Sequence, residues 1–171
     1  MFTFKTSLKM EIETKGFGEK SKISELPSSS NISILDFLKT FGINKTTNFD
    51  LYEIANKLDL PIKILMNNEL YKIEKTKKHN IIINYQDNDK KGNHWCCFRN
   101  RNFYFDSFGI KPKQEVEKFL IKDYIYNTKQ VQPFGTKICG ILCLFVLYKL
   151  EEGFSFESII EDIFYQLKFL L

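Results

Sequence analysis

Cys139 is the residue of this sequence whose type and position most readily allow chemistry. It stands at the front of an apolar run that continues to residue 150, and the turn-forming residues Pro133, Gly135 and Thr136 precede it. The run predicts a buried helix that begins near Cys139. A buried cysteine is usually a small packing residue. At the first turn of a helix, however, the unpaired N–H groups and the helix dipole favour a thiolate, so Cys139 is a candidate nucleophile.

A nucleophilic cysteine needs a base, and His94 is the better placed of the two histidines. His79 follows the polar stretch KTKK, which indicates an exposed loop, whereas His94 opens the apolar strand HWCCF. The segment HWCCFRNRNFYFDSFG predicts a β-hairpin. Pairing about Asn100, through an odd-length loop, sets His94 directly opposite Asp106, whose carboxylate would orient the imidazole. The alternatives are a structural histidine and a turn-forming aspartate at a strand end.

Gln132 is a candidate donor for the oxyanion that forms when a thiolate attacks a carbonyl. It lies seven residues before Cys139, and its amide could act together with the Cys139 backbone N–H. Glutamine is common, so Gln132 alone indicates little. The chain order His94, Asp106, Gln132, Cys139 is much more specific.

The other cysteines have simpler interpretations. Cys143 falls on the same helix face as Cys139 but deeper, which predicts a core residue. Cys96 shares a strand face with His94 and is the rival nucleophile, while Cys97 faces the other way. Zinc binding by His94, Cys96 and Cys139 has no support from a CxxC pair or from a second ligand histidine. Neither a metal nor another cofactor is predicted.

The segments GNHWCCF, FYFDSFG and VQPFGTKICGILCLF together resemble the adenain-type cysteine proteases of adenoviruses, Polinton elements and virophages, which belong to the same clan as the SUMO-specific proteases. The resemblance covers residues 48–148. It implies that His94 is the base, Asp106 its acceptor, Gln132 the oxyanion donor and Cys139 the nucleophile. Trp95 matches a tryptophan that walls a narrow passage admitting glycine, so Trp95 and Gly140 are the expected substrate-binding residues.

The resemblance implies a thiol endopeptidase, in particular a viral maturation protease that cleaves capsid or core proteins near glycine. Its implied location is the host cytoplasm or viral factory, and the virion. A cut within the chain's own KGFGE segment is a further hypothesis.

The family resemblance also bears on activating partners. Adenoviral enzymes are activated by a disulfide-linked viral peptide and by DNA. The chain has no cysteine between Cys97 and Cys139, which argues against the disulfide route. DNA stimulation stays open, and its candidate contacts are Lys72, Lys75, Lys77, Lys78, Lys90 and Lys91.

Two other functions remain as alternatives. The same constellation serves SUMO- or ubiquitin-type isopeptidases, although the chain shows no large docking surface for such a partner. A binding module that keeps the fold without activity is the third interpretation. All four catalytic positions are filled, which favours an enzyme.

Length indicates a single domain over residues 1–171, and the order of the predicted elements indicates an α+β fold. The 171 residues are 43% hydrophobic and carry a net charge of +4, no apolar run reaches the ~18 residues of a membrane span, and the first residues are too charged for a signal peptide. We therefore expect a soluble protein with reduced thiols, made in a cytosol-like compartment, without a membrane partner. Residues 1–30 are expected to form an arm or a hairpin.

Periodicity predicts the elements that must position the site. Helical spacing appears in SILDFLKTFG, in NFDLYEIANKLDL with Asn48 or Asp50 as its cap, over 113–120 with Pro112 at its start, from Cys139, and over 156–170. Short strands are predicted at IKILM, NIIINY, HWCCF, NFYFDSF and KQVQ. The pattern does not repeat strand–helix–strand, so we expect a central mixed or antiparallel sheet packed against the Cys139 helix, with flanking helices.

Overall fold

A five-stranded mixed sheet forms the centre of the protein. The structure is a computed structural model, and it describes residues 32–43, 47–87, 89 and 94–168. The strands lie in chain order: β1 (Lys63–Met66), β2 (Asn80–Asn84), β3 (Trp95–Arg99), β4 (Phe103–Asp106) and β5 (Ile125–Tyr126). The β2–β3 and β3–β4 pairs are antiparallel, whereas β1 and β5 run parallel to their neighbours. This mixed sheet confirms the predicted α+β fold.

Helices cover both faces of the sheet. They are α1 (Ile34–Phe41), α2 (Asn48–Lys57), α3 (Gln114–Phe119), α4 (Cys139–Glu151) and α5 (Phe156–Leu167), with a 3₁₀ helix at Asn67–Lys72. The α4 helix packs against β2, β3 and β4, and α1, α2 and α5 surround it. Every α4 residue from Cys139 to Leu150 is buried, because this helix is apolar on all sides. The opposite face packs against α3 and the 3₁₀ helix.

Three predicted helix ends need correction. Thr47 caps α2, and Asp50 is the reciprocal member of its capping box, so neither Asn48 nor Asp50 is the N-cap. Pro112 lies before the N-cap of α3 and not in its first turn. The α5 helix ends at Leu167, short of the predicted residue 170.

The fifth strand is not the predicted KQVQ segment. Instead, Ile125 and Tyr126 pair in parallel with the start of β4. Residues 129–132 leave the sheet because their hydrogen bonds go elsewhere: the Val131 and Gln132 N–H groups both donate to the Ser107 carbonyl, at 2.9 and 3.0 Å. This turn places Gln132 against Ser107, the residue that follows the end of β4.

The β3–β4 hairpin has an odd-length loop, as predicted, but its centre differs by one residue. Arg99 pairs with Phe103 around a loop centred on Arg101, so Asp106 lies opposite Cys96 and not opposite His94. Moving the centre by one residue changes each partner by two positions, and side chains two positions apart share a face. His94 therefore stays on the face of Asp106, as a diagonal neighbour.

Some predictions lie outside the described residues. The arm or hairpin over 1–30 and the KGFGE segment belong to this group, as do Lys90 and Lys91. Within the described ranges, no helix has both the length and the apolar character needed to cross a membrane.

Candidate active site

Three secondary-structure ends meet at the candidate active site. His94 immediately precedes β3, Asp106 is the last residue of β4, and Cys139 is the first residue of α4. Buried cysteines hold α4 against β3: the Cys143 thiol donates to the Trp95 carbonyl at 3.5 Å, and the Cys97 thiol donates to the Cys143 carbonyl at 3.6 Å. These contacts bring the start of the helix next to the start of the strand.

The imidazole of His94 binds the carboxylate of Asp106. His94 Nε2 lies 3.1 Å from Asp106 Oδ2, and Asp106 is fully buried. An ionised carboxylate can only accept a hydrogen bond, so Nε2 carries the hydrogen. The rings of Tyr85 and Phe108 flank the imidazole, with centroids at 5.8 and 5.1 Å. The carboxylate therefore determines which ring nitrogen is left for a reaction, namely Nδ1.

The peptide backbone around Asp106 is held from several directions. Asp106 Oδ1 accepts a hydrogen bond from the Phe108 N–H at 2.8 Å. The side chain of Asn127 accepts from the Asp106 N–H at 3.1 Å and donates to the Asp106 carbonyl at 2.7 Å. A second Asn127 bond, to the Lys129 carbonyl at 3.0 Å, ties this arrangement to the following loop. The Phe108 bond offsets part of the cost of burying the carboxylate, and the Asn127 bonds fix the backbone that carries it.

Cys139 is the second partner of the imidazole. Burial lowers the pKa of His94, but hydrogen bonds to Asp106 and Cys139 and the charges of both groups raise it to about 9. Because Nε2 faces Asp106, the Cys139 bond uses Nδ1. With its pKa raised in this way, the imidazole is protonated at neutral pH. Cys139, His94 and Asp106 are thus brought together as predicted.

Gln132 is joined to this group through its neighbours. It is buried, its Oε1 accepts from the Ser107 hydroxyl at 2.7 Å, and its Nε2 donates to the Thr136 carbonyl at 2.7 Å. Ser107 follows Asp106, and Thr136 lies in the turn before Cys139. The two bonds determine which end of the amide carries the N–H groups, and one of the two Nε2 hydrogens is left over.

Trp95 and Gly140 lie where α2, β3 and α4 converge. A Cβ atom on Gly140 would stand 2.9 Å from Leu51 Cδ2 and 3.1 Å from Trp95 Cδ1. Glycine therefore permits the close approach of α2 and β3 to the start of α4. A role for either residue in substrate binding stays a prediction.

The remaining cysteines are free thiols in the interior. Burial raises the pKa of Cys143 well above its ordinary value, which agrees with the predicted core position. Cys96, the rival nucleophile, is fully buried, and burial followed by the nearby Asp106 charge raises its pKa well above the ordinary value. A thiol of this kind is a poor nucleophile.

The lysines proposed to contact DNA are partly neutralised. Lys72 pairs with Glu69 at 2.5 Å and Lys77 pairs with Glu74 at 2.7 Å. Lys75 Nζ lies 5.7 Å from the centre of the Phe119 ring. DNA stimulation stays a prediction.

Sequence reasoning missed the roles by which three residues hold the site together. The Cys96 thiol donates to Asp106 Oδ2 at 3.1 Å, Ser107 orients Gln132, and Asn127 clamps the backbone of Asp106. The adjacent Asp-Ser pair was a signal for Ser107, although it reads equally well as a turn. Nothing in the local sequence marks Asn127, because its role depends on a contact across 21 positions of chain.

The fold and the site together define an α+β protein with a cysteine, a histidine and an aspartate joined at one end of its sheet. No protein-family model matches the chain, and no curated protein matches it either.

Proposed function

We propose that the protein is a cysteine endopeptidase in which Cys139 is the nucleophile and His94 the general acid and base. The placement of His94 between Cys139 and the buried carboxylate of Asp106 carries this proposal. Covalent acyl transfer needs a nucleophile, a base hydrogen-bonded to it and an acceptor that orients the base.

The first half of the reaction makes an acyl-enzyme. The Cys139 thiolate attacks the carbonyl carbon of the scissile amide, and the carbonyl π electrons move to oxygen. His94 Nδ1 then gives its proton to the leaving amine as the C–N bond breaks, which forms a thioester and a free amine. Asp106 holds the ring and stabilises its positive charge throughout.

The oxyanion of this step requires hydrogen-bond donors. The Cys139 N–H lies at the first position of α4, where a helix offers no internal acceptor. The free Nε2 hydrogen of Gln132 is the second proposed donor, oriented by the bond from Ser107. In the second half of the reaction, His94 takes a proton from water, and the hydroxide replaces Cys139 at the acyl carbon.

The biological setting is part of the same proposal. The resemblance of the segments around His94, Asp106 and Cys139 to adenain-type proteases supports a viral maturation protease that cleaves capsid or core proteins near glycine. The implied location remains the host cytoplasm or viral factory, and the virion.

Alkylation of each cysteine tests the thiolate–imidazole pair without a substrate. Iodoacetamide labelling is followed by mass spectrometry between pH 5 and 9 in the wild type, in His94→Ala and in the matched control His79→Ala. Cys139 should label rapidly at pH 6 in the wild type and in His79→Ala, and slowly in His94→Ala. Labelling of Cys139 no faster than that of Cys143 would contradict the proposal.

Substrate assays then separate the protease from its alternatives. Peptides with glycine near the cut bond report endopeptidase activity, and fluorogenic C-terminal conjugates of SUMO and ubiquitin report isopeptidase activity. Cleavage of the conjugates alone would favour the isopeptidase. A reactive Cys139 that turns over neither class would favour the binding module.

A further inference from the structure

A second set of side chains with ligand chemistry lies on the far side of His94 from Cys139. His94 Nε2, Cys96 Sγ and a carboxylate oxygen of Asp106 all lie within 4.8 Å of one another. Both the imidazole nitrogen and the sulfur are 3.1 Å from the same oxygen, Asp106 Oδ2. This set contains Asp106 in place of Cys139, the third zinc ligand considered from the sequence.

These separations are close to those around a tetrahedral zinc ion. Zinc binds nitrogen, oxygen and sulfur at about 2.0–2.3 Å, which places neighbouring ligand atoms roughly 3.3–3.6 Å apart. The two separations from Asp106 Oδ2 would therefore widen by a few tenths of an ångström to admit the ion. A metal would occupy the space of the two hydrogens that now lie between these atoms.

The charges of the set also match a divalent cation. Cys96 and Asp106 are completely buried, and a buried ion is costly unless its charge is compensated. One thiolate and one carboxylate cancel the charge of Zn²⁺, and the imidazole adds a neutral ligand. A mixed nitrogen, sulfur and oxygen set selects zinc over calcium or magnesium, which prefer oxygen ligands.

A neighbouring hydroxyl supplies an independent observation. Tyr104 lies two positions before Asp106 on the same face of β4, diagonal to Cys96 on β3. Within the described ranges, Tyr104 Oη is a buried side-chain oxygen whose polar neighbours, the Cys96 thiol and the Tyr85 hydroxyl, do not reach it with good hydrogen-bond geometry. Buried polar atoms of this kind call for a partner. Water in the fourth position of a bound zinc ion would provide one.

We propose that His94, Cys96 and Asp106 form an inhibitory zinc site. Binding releases one proton from the Cys96 thiol and one from His94 Nε2, and the ring keeps its proton on Nδ1. A neutral ring bound to zinc through Nε2 cannot cycle between its charged and neutral forms, as transfer to a leaving amine requires. The inhibition rests on the proposed protease function, whereas the binding of zinc does not.

The binding experiment uses the full chain with Cys139→Ser, which removes the catalytic thiol as a competing ligand. Zn²⁺ is titrated by calorimetry, and Co²⁺ is added separately to detect a thiolate charge-transfer band. We expect one equivalent of each metal. Adding Cys96→Ser should abolish the band and weaken zinc binding by more than the roughly 100-fold that loss of an outer-shell partner costs. Adding Cys97→Ser, the matched change on the opposite strand face, should preserve both.

Two further measurements keep the outcomes distinct. His94→Ala in the Cys139→Ser background should also lose the site, and circular dichroism checks that each variant is folded. Zinc binding that requires Cys139 and ignores Cys96 would overturn the proposal, as would the lack of binding by Cys139→Ser. A chain that binds zinc through Cys96 but cleaves no peptide would contradict only the protease function. Peptide cleavage without zinc binding would contradict only the metal site.

Discussion

The two faces of strand β3 are equally buried but differ in chemistry. Cys97 faces α4 and packs among apolar side chains such as Ile82 and Phe105. Cys96, the next residue along the chain, faces the other way and donates to the carboxylate of Asp106. Because side chains alternate along a strand, one step separates a packing position from the edge of the candidate active site. Burial alone therefore does not distinguish the candidate site from the core, whereas a buried carboxylate with three different donors does.

The largest effect is expected on the face of His94. Asp106→Asn removes the charge that holds the imidazole, so the proposed peptidase activity should fall by roughly 10³–10⁴-fold. Hydrolysis of a peptide substrate measures the loss, and Asp123→Asn, at an exposed acid, is the control. Unchanged activity in Asp106→Asn would show that His94 does not depend on this carboxylate.

On the α4 face, the expected effect is on stability. Phe105 is 1% exposed and lies in the core under α4, so Phe105→Ala should lower the free energy of unfolding by about 3–5 kcal/mol. Urea unfolding measures this loss. Phe49 is 80% exposed, and Phe49→Ala should change the same quantity by less than about 0.5 kcal/mol. Equal effects of the two substitutions would contradict the comparison.

The His94 face should also make stability depend on pH. The pKa of His94 is raised from 6.5 to about 9 in the folded protein, so its contribution is fully present below pH 6.5 and is lost as the pH rises to 9. We expect a loss on the order of 2–3 kcal/mol across this window. Urea unfolding midpoints at pH 6, 7.5 and 9 test it. In Asp106→Asn the slope should be clearly smaller, because Cys139 alone then raises the pKa of His94, and an undiminished slope would assign the effect to another group.

The smallest effects on stability and activity are expected at Ser107, which bonds Gln132 in the loop before α4. Ser107→Ala leaves the Oε1 atom of Gln132 without its donor, which should cost about 1–2 kcal/mol of stability. Peptidase activity should fall about 10-fold, because the amide loses the bond that orients its N–H groups. Ser158→Ala, at an exposed hydroxyl, is the control. A drop in stability with full activity would remove Gln132 from the oxyanion site.

Much of the fold could be predicted because the local patterns were strong. Strands β1 to β4 and helices α1 to α5 all follow from periodicity and from turn residues. The two-residue strand β5 could not be found, since it exists only through its pairing with β4. The predicted centre of the hairpin loop was wrong by one residue, which moved each pairing partner by two, because the polar tip over residues 99–102 does not fix one turn.

The candidate site divides in the same way. Residue types and order alone selected Cys139, His94, Asp106 and Gln132, because nucleophile, base, acceptor and donor have few chemical substitutes.

The tertiary structure decided what surrounds these residues. In the folded chain, Nε2 of His94 binds Asp106, and Nδ1 is available to Cys139. The Ser107 hydroxyl donates to the amide oxygen of Gln132. The tertiary structure also turned Cys96 from a rival nucleophile into a donor for the carboxylate. Hydrogen bonds of this kind require elements far apart in the chain to be positioned to within a few tenths of an ångström. Local sequence does not determine positions of that precision.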